Sequence, residues 1–514
     1  MTDDPRPGKS HGFARALRAC LYALLPLALL VLASESALRA LDVPARSADQ
    51  SRGFRRDALY IAPDAQRPGG HTTLMHEPER REVVIAPRDA RVRIVLLGGS
   101  NVNGWNQALL EKFLNERRRA DARAYEVINL GRAGYGSERI SILFDQALAL
   151  EPELALFYEG HNEFVEAGFR QELEARWSSP FAREAARHAN HLRSFRALCA
   201  WMKPEDAGAA PTAEQWKWEY ERYAHYDYAD TLEHMQRFGE NVEHIVSAGL
   251  ARGVRMMLVS AIGNMLAAPF SSTLPDAASA ADRRRVFELL AQARADFPAR
   301  YARLWPVQPF DRPHLNDFRE QRALPEGFVM PRLREPLAFK PEAQLLGFHP
   351  RSWSERADAF HRMLEQFHER QLNEQERARL AGCSAQLEQV LALCPDHPLA
   401  LFALGLCDYL EGRDEPAAQR LRLAARYDRA PRKASDLSNE LVRAVAQRHP
   451  EVVFFDAEST WREASPSGIV GFELMWDECH LHYAASEILL DQLADRILAL
   501  GLHGRPPVHT GAAR

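Results

Sequence analysis

The stretch Arg91–Gly104, RVRIVLLGGSNVNG, sets the strongest limit on the fold. Its apolar run is continuous rather than alternating, and it carries β-branched residues. A strand buried on both faces has this pattern, and such strands belong to parallel sheets covered by helices. Gly98 and Gly99 end the strand, and a helix is predicted from about Trp105 to Arg118. The same rhythm recurs in YEVINL (Tyr125–Leu130), ELALFYEG (Glu153–Gly160), VRMMLVSAIGN (Val254–Asn264) and EVVFFDA (Glu451–Ala457). Helical segments follow, SERISILFDQALAL among them, and YAASEILLDQLADRILAL is the last. Strands alternating with helices predict an α/β fold built on a parallel, doubly wound sheet. Sites in such sheets gather at the carboxyl ends of the strands.

A chain of 514 residues exceeds one ordinary domain, so insertions or additional units are expected. The rhythm breaks in the middle. MKPEDAGAAPTAEQ, near Lys203, is a Pro/Ala-rich loop. WKWEYERYAHYDY (Trp216–Tyr228) is dense in aromatic residues and suits either an internal interface or a carbohydrate-stacking surface. Residues 301–352 are Pro-rich and irregular, and from Trp353 to about Gln447 the pattern is helical throughout. Within it, Gly405, Gly412, Ala417, Leu421 and Ala424 fall at the spacings of a tetratricopeptide repeat, with Asp408 where an apolar residue is usual. A solenoid needs about three such repeats, and one is present. The segment is therefore expected to be a helical insert docked on the main domain, with a protein-binding role as the rival reading.

Arg6, Lys9, Arg15 and Arg18 precede the apolar run ACLYALLPLALLVLA (Ala19–Ala33). A basic flank before an apolar segment is a membrane anchor or a cleaved signal peptide. The residues after it, with Glu35 and Arg39, make a poor cleavage region, which favours an uncleaved anchor over 17–36. Residues 1–16 would then be cytoplasmic, the bulk of the chain would lie outside the cytoplasm, and 37–85 would be a polar juxtamembrane connector. A net charge of −5 gives no concentrated basic surface for nucleic acid. The six cysteines (Cys20, Cys199, Cys383, Cys394, Cys407 and Cys479) show no zinc-type spacing. They are read as buried thiols, with Cys383–Cys394 or Cys394–Cys407 as the conceivable bridges.

Each strand end carries a chemically useful group. Ser100 follows the first strand. Gly131, Gly134 and Gly136 follow the second, Asn162 the third, and Asp477 and His480 precede the last helix. A serine nucleophile needs a base, an orienter for that base and donors for an oxyanion. His480 has the pKa range of a base at neutral pH, and Asp477 lies three residues before it. The Ser100 backbone N–H, the Gly134 N–H and the Asn162 amide would supply the donors. Each has an ordinary reading as well: Ser100 as a helix cap, Asn162 as a turn residue, Asp477 as a cap, and Gly131 or Gly136 in place of Gly134. His482 competes with His480. Asp477, Cys479, His480 and His482 also form a metal-type cluster, disfavoured because no distant partner motif exists and Ser100 would go unexplained. Asn101, His161 and Asn264 are candidate substrate contacts.

Four blocks in order resemble the SGNH hydrolases, the GDSL-type esterase superfamily. GGS ending at Ser100 stands for the Gly-Asp-Ser block, NLGRAG for the second block with Gly134, GHNE for Gly-x-Asn-Asp with Asn162, and DECHL for Asp-x-x-His with Asp477 and His480. With the tetratricopeptide-like stretch, the chain resembles membrane-anchored bacterial members of that superfamily. Gly99 and Glu163 stand where the family carries aspartates. The resemblance implies a three-layer, flavodoxin-like sheet, with the hydrolase core over 86–352 and its completion over 449–505, interrupted by the helical insert at 353–448. It implies a catalytic triad of Ser100, Asp477 and His480, no metal and no cofactor. It implies action on a small-molecule or glycan ester from a periplasm-facing, inner-membrane location. An O-acyltransferase of envelope glycans and a catalytically decayed binding scaffold are the rival functions.

Overall fold

A computed structural model describes residues 60–73, 83–175, 227–305 and 355–502, apart from a few single positions within them, together with Phe54, Ser194 and part of 22–40. The aromatic run up to position 226, the Pro-rich stretch from 306, Cys20 and Cys199 lie outside the described residues, as does most of the expected anchor. The chain divides into two compact units, residues 1–53 with 169–211 and residues 54–168 with 212–514. In the first unit residues 29–38 are helical. The Ser194 backbone N–H donates to Glu35 Oε2 at 3.0 Å. No described helix is long and apolar enough to cross a membrane.

The second unit holds two sheets. Strands β1 (Ile61–Pro63), β2 (His71–Thr73) and β3 (Val84–Ile85) pair antiparallel. These strands lie within the stretch 37–85 that the sequence reads as a juxtamembrane connector. Strands of two or three residues leave no periodicity to read in a sequence.

The main sheet comprises β4 (Val92–Gly98), β5 (Tyr125–Asn129), β6 (Leu154–Tyr158), β7 (Arg255–Val259) and β8 (Val453–Phe455). All neighbours are parallel, in the order β5-β4-β6-β7-β8. That is the flavodoxin-like 2-1-3-4-5 order of a doubly wound sheet. Every residue of β4 is buried, as its continuous apolar run requires. The helices of the first half are α1 (Ser100–Gly104), α2 (Gln107–Arg117), α3 (Ser137–Ala147), α4 (Glu163–Ala175) and α5 (Tyr228–Ala251). Those that follow β7 are α6 (Ala280–Asp296), α7 (Glu355–His368), α8 (Glu374–Leu393), α9 (Pro398–Leu410), α10 (Asp414–Arg426), α11 (Asp436–Arg448), α12 (Ala457–Ala464) and α13 (Tyr483–Ala499).

The two faces of β4 separate two cores. Val92, Ile94 and Leu96 pack with Leu110 and Phe113 of α2 and with Leu489 and Leu493 of α13. Val95 and Leu97 pack with Phe144 of α3, Phe238 and Val242 of α5, and Val442 and Val445 of α11. Truncating a side chain such as Leu96 to Ala would cost about 2–5 kcal/mol in a core of this kind.

A third core is helical, joining Phe367 of α7, Leu380 and Leu387 of α8, Phe402 and Leu406 of α9 and Leu421 of α10. Val286 and Leu289 of α6 belong to it, so this helical layer draws on residues before 353. Conversely α11, inside the expected insert, packs on the sheet through Val442 and Val445. Helical spacing reveals an apolar stripe but not the surface it covers. A Cβ at Gly405 would lie 2.9 Å from Leu421 Cγ, so the glycine lets α9 and α10 approach closely. Asp408 is fully buried and is paired with Arg413 and Arg420, which accounts for a carboxylate at an otherwise apolar position. Cys383, Cys394, Cys407 and Cys479 are free thiols. The close sulfurs are those of Cys383 and Cys407, 3.6 Å apart, neither of the two pairings the sequence suggested.

Candidate active site

The chain reverses sharply at the carboxyl end of β4, beside the end of β6, where Gly98 pairs with Tyr158. A Cβ at Gly98 would lie 2.3 Å from Val102 Cγ2 and 2.4 Å from the Tyr158 carbonyl oxygen. Only glycine fits that turn. Gly99 has φ −83°, which any residue adopts, so its requirement is space. Its Cβ would lie 2.1 Å from Asn162 Nδ2 and 2.3 Å from Glu159 Oε2. Ser100 follows as the first residue of α1.

His480 reaches Ser100 across 380 residues of sequence, with Nε2 2.6 Å from Oγ. Its Nδ1 lies 2.6 Å from Asp477 Oδ2. An ionised carboxylate only accepts, so Nδ1 carries the proton, Nε2 accepts and the Ser100 hydroxyl donates. Asp477 Oδ1 takes the backbone N–H groups of Cys479 and His480 at 2.9 and 2.7 Å. Burial would raise the Asp477 carboxyl, but the His480 charge and these donors outweigh it and hold it below the usual carboxylate range. Burial likewise opposes charge on His480, but Asp477, Glu478 and Glu159 prevail and lift the imidazole above its ordinary value. The imidazole is thus a stronger base than a free histidine, with its tautomer fixed. His482 is excluded from this role: its Nε2 lies 3.1 Å from the Phe472 carbonyl oxygen and must donate there.

The loop carrying Asp477 and His480 is closed by an antiparallel bridge between Met475 and Leu481. Two amides hang it on the rest of the site. Asn101 Nδ2 donates to the Cys479 carbonyl at 3.0 Å, and Asn264 Nδ2 donates to the Asp477 carbonyl at 2.7 Å. Asn264 Oδ1 accepts the Leu266 N–H at 2.9 Å, and its side chain is fully buried. Both residues were candidate substrate contacts. The structure turns both amides onto backbone carbonyls of the loop, as buried amides must be satisfied. Trp476 sets its ring edge-on to His480, with centroids 6.1 Å apart, and packs against the helical core as well. The helical layer therefore buttresses the loop of the base.

The third candidate contact, His161, is also below the surface. Its Nδ1 accepts the Ala434 N–H at 2.9 Å. Burial, reinforced by His480, pushes its pKa down to about 3, so it stays neutral. Its role here is to tie the end of β6 to the segment before α11.

The oxyanion side is assembled from the loops after β5 and β6. Asn162 Nδ2 donates one N–H to the Tyr135 carbonyl at 3.2 Å, and a primary amide has a second. Gly134 has φ +67°, a left-handed conformation suited to glycine. Its two neighbours have committed their N–H groups elsewhere: Gly131 to Asn129 Oδ1 at 2.9 Å and Gly136 to Glu166 Oε1 at 3.1 Å.

Three acidic residues organise this region: Glu163, which stands in place of the block's aspartate, Glu159, which flanks the oxyanion block as a structural or substrate-side group, and Glu166, to which the sequence reading gave no part. Glu163 accepts the Ser137 N–H at 2.9 Å and its hydroxyl at 2.7 Å. Glu166 accepts the N–H groups of Gly136, Glu138 and Arg139, and pairs with Arg139 Nε at 2.6 Å. Together they cap the start of α3, whose first turn otherwise has unpaired donors. Glu163 is thus a helix cap, which explains a longer acid at that position. Burial and the adjacent charge of Glu166 raise its carboxyl well above the ordinary range. Glu153 pairs with Arg88 and Arg123, both at 2.5 Å, below the strand starts. Glu159, fully buried at the end of β6, accepts the N–H groups of Gly99, His161 and Asn162 at 2.6, 2.8 and 2.9 Å. The spacing of Glu163 and Glu166, three apart at the start of α4, points to that helix, and nothing in the sequence ties them to α3.

Asp477, Cys479 and His480 lie close enough together to hold a metal ion. Burial and the charges of Asp477, Glu478 and Glu159 keep the Cys479 thiol protonated far above its ordinary range. A thiol must lose its proton to ligate, and Nδ1 of His480 is already bonded to Asp477. The trio fits a hydrogen-bonded relay better than a metal centre.

No protein-family model matches the chain, and no curated protein matches it. Among solved structures it matches a proposed acylhydrolase from Bacteroides fragilis at 16% identity, with a TM-score of 0.19, over 42% of this chain and 65% of that one. The match spans less than two thirds of that protein, and at such a score it does not establish a shared fold.

Proposed function

We propose that the chain is a serine ester hydrolase that works through an acyl-Ser100 intermediate. One observation carries the reading: the unbroken line from Ser100 Oγ to His480 Nε2, and from Nδ1 to Asp477, at 2.6 Å for each link. As Oγ attacks the ester carbonyl carbon, its proton passes to Nε2. The carbonyl oxygen becomes an oxyanion, received by the N–H groups of Ser100 and Gly134 and the second N–H of Asn162. One such donor is worth about 3 kcal/mol of transition-state stabilisation. The intermediate collapses, the C–O bond to the alcohol breaks, and the imidazolium returns its proton to the leaving oxygen. Water then repeats the sequence on the acyl-serine, giving the acid and free Ser100. Asp477 stays ionised throughout and stabilises the imidazolium.

The substrate class that suits this reading is an ester of the cell envelope. The basic flank and apolar run before residue 36 support an anchored, extracytoplasmic enzyme, and the α9–α10 pair supports a tetratricopeptide-like element.

Fluorophosphonate labelling of the intact protein tests the proposal. Wild type is expected to take one label at Ser100 and to hydrolyse p-nitrophenyl acetate. Ser100→Ala is expected to do neither, and His480→Ala to lose nearly as much, because triad members act as a unit. Wild-type protein that takes no label while a control serine hydrolase does would sink the reading.

A further inference from the structure

Glu159 is separated by 60 residues from Gly99, yet its carboxylate lies at the base of the nucleophile turn. Oε2 accepts the Gly99 N–H at 2.6 Å, the amide immediately before Ser100. Oε1 accepts the N–H groups of His161 and Asn162 at 2.8 and 2.9 Å, the start of the loop that presents the Asn162 amide. The two halves of the site come from different strands, β4 and β6, and each receives one oxygen of this one carboxylate. Resting on the serine-hydrolase reading, we propose that Glu159 is a positioning residue for that reaction. Its carboxylate fixes the separation between the Ser100 nucleophile and the Asn162 oxyanion donor.

Three observations point the same way. First, its partners are backbone N–H donors, those of Gly99, Gly160, His161 and Asn162, which only lone pairs can satisfy and which counter the burial that raises its carboxyl. An ionised carboxylate has lone pairs on both oxygens, whereas a carboxamide has an acceptor on one side only. Second, the chain has no side chain at position 99, and one there would stand 2.3 Å from Glu159 Oε2 and 2.1 Å from Asn162 Nδ2. The glycine keeps open the space in which carboxylate and amide sit side by side. Third, the site is enclosed: Glu159 and His161 are 1% exposed and Asn162 is 7% exposed, so water cannot replace a lost acceptor without rearrangement. The same carboxylate adds negative charge near His480, alongside Asp477 and Glu478.

The test uses the full chain, p-nitrophenyl acetate and the rate of fluorophosphonate labelling, with kcat expressed per labelled or folded molecule. Glu159→Gln keeps shape but cannot accept from both sides. It is expected to lower kcat and the labelling rate about 100-fold, with KM within about twofold, the signature of misplaced reacting groups. It is also expected to move the acid limb of kcat/KM to lower pH, because one negative charge near the base is gone. Glu159→Asp keeps the charge but is one methylene short of Gly99. It is expected to lower kcat while leaving the acid limb in place. A residue that merely stabilised the fold would lower the melting temperature and leave both kcat per folded molecule and the limb unmoved. Wild-type kcat in Glu159→Gln, or in Glu159→Asp should the first variant not fold, overturns the proposal while leaving the serine-hydrolase reading intact. Absence of labelling in wild type overturns both.

Discussion

The amide of Asn264 donates to the main-chain carbonyl of Asp477 at 2.7 Å, from the end of β7 to a loop 213 residues later. Asn101, one residue after Ser100, makes the matching bond to the Cys479 carbonyl at 3.0 Å. The loop that carries acid and base is therefore hung from two strand ends of the sheet, and its position relative to Ser100 is set by buried amides rather than by the loop itself.

Removing either amide leaves a buried carbonyl unpaired, at a cost of about 1–3 kcal/mol. Asn264→Ala and Asn101→Ala are each expected to lower kcat about tenfold or more, because His480 drifts from Ser100. KM is expected to stay unchanged across acetyl, butyryl and longer p-nitrophenyl esters. If these residues touched substrate instead, KM would rise in a manner dependent on the acyl chain, and kinetics across that ester series distinguishes the two roles.

His480 must be neutral to accept the Ser100 proton, and its pKa is raised: burial opposes the charge, but Asp477 and the neighbouring acids outweigh it. Activity is therefore expected to rise with pH, with the acid limb of kcat/KM above the ordinary imidazole value of about 6.5. Asp477→Asn removes the negative charge that lifts the pKa, so the limb should shift to lower pH. It also removes the acceptor that fixes the tautomer, so kcat should fall by about 10³–10⁴-fold. A full pH–rate profile of both proteins checks the direction and the loss together.

The sheet was legible because β4 to β7 are buried on both faces and their sequences record that burial continuously. The helices lying between them made the strands parallel, while the flavodoxin-like arrangement was implied by the family resemblance alone. The antiparallel strands before residue 86 were not legible, since three residues carry no period. Nor was the destination of α11, because an apolar stripe does not state whether a sheet or another helix will cover it. In the site, Ser100, Asn162, Asp477 and His480 were legible as blocks, each next to a strand end or helix start, and the structure brings Ser100, Asp477 and His480 into one hydrogen-bonded line. Glu159 and Glu166 were not, since their partners are backbone N–H groups whose positions exist only after folding. The backbone partners of Asn101 and Asn264 were hidden for a related reason: a polar residue near a site reads as a substrate contact, and its bond to a distant carbonyl exists only in the fold.

Gly99 is required for room, not for conformation, as its negative φ indicates. Gly99→Ala is expected to displace the Asn162 amide and the Glu159 carboxylate together, since a Cβ would overlap both. The loss of kcat should be about 100-fold, with a stability cost of about 1–3 kcal/mol from overpacking. Esterase assays paired with thermal melts check this. An alanine variant with wild-type kcat would show that neither side chain needs its observed place.

His397 supplies a pH-dependent term far from the site. It caps α9, its Nδ1 accepting the Ala400 N–H at 3.2 Å, and burial, aided by Arg429, lowers its pKa to about 4. The unfolded chain takes up this proton below about 6.5, whereas the folded chain refuses it until about 4. The unfolded state thus binds more protons in that window, and this residue's contribution falls as the pH falls through it. His397→Asn keeps a capping acceptor and does not titrate. Between pH 7 and pH 5 the unfolding free energy of the variant is expected to gain about 2 kcal/mol relative to wild type. The comparison cancels every other titrating group, so denaturant unfolding of both proteins at the two pH values isolates His397. A difference that stays constant would mean that the ring is not held neutral in the fold.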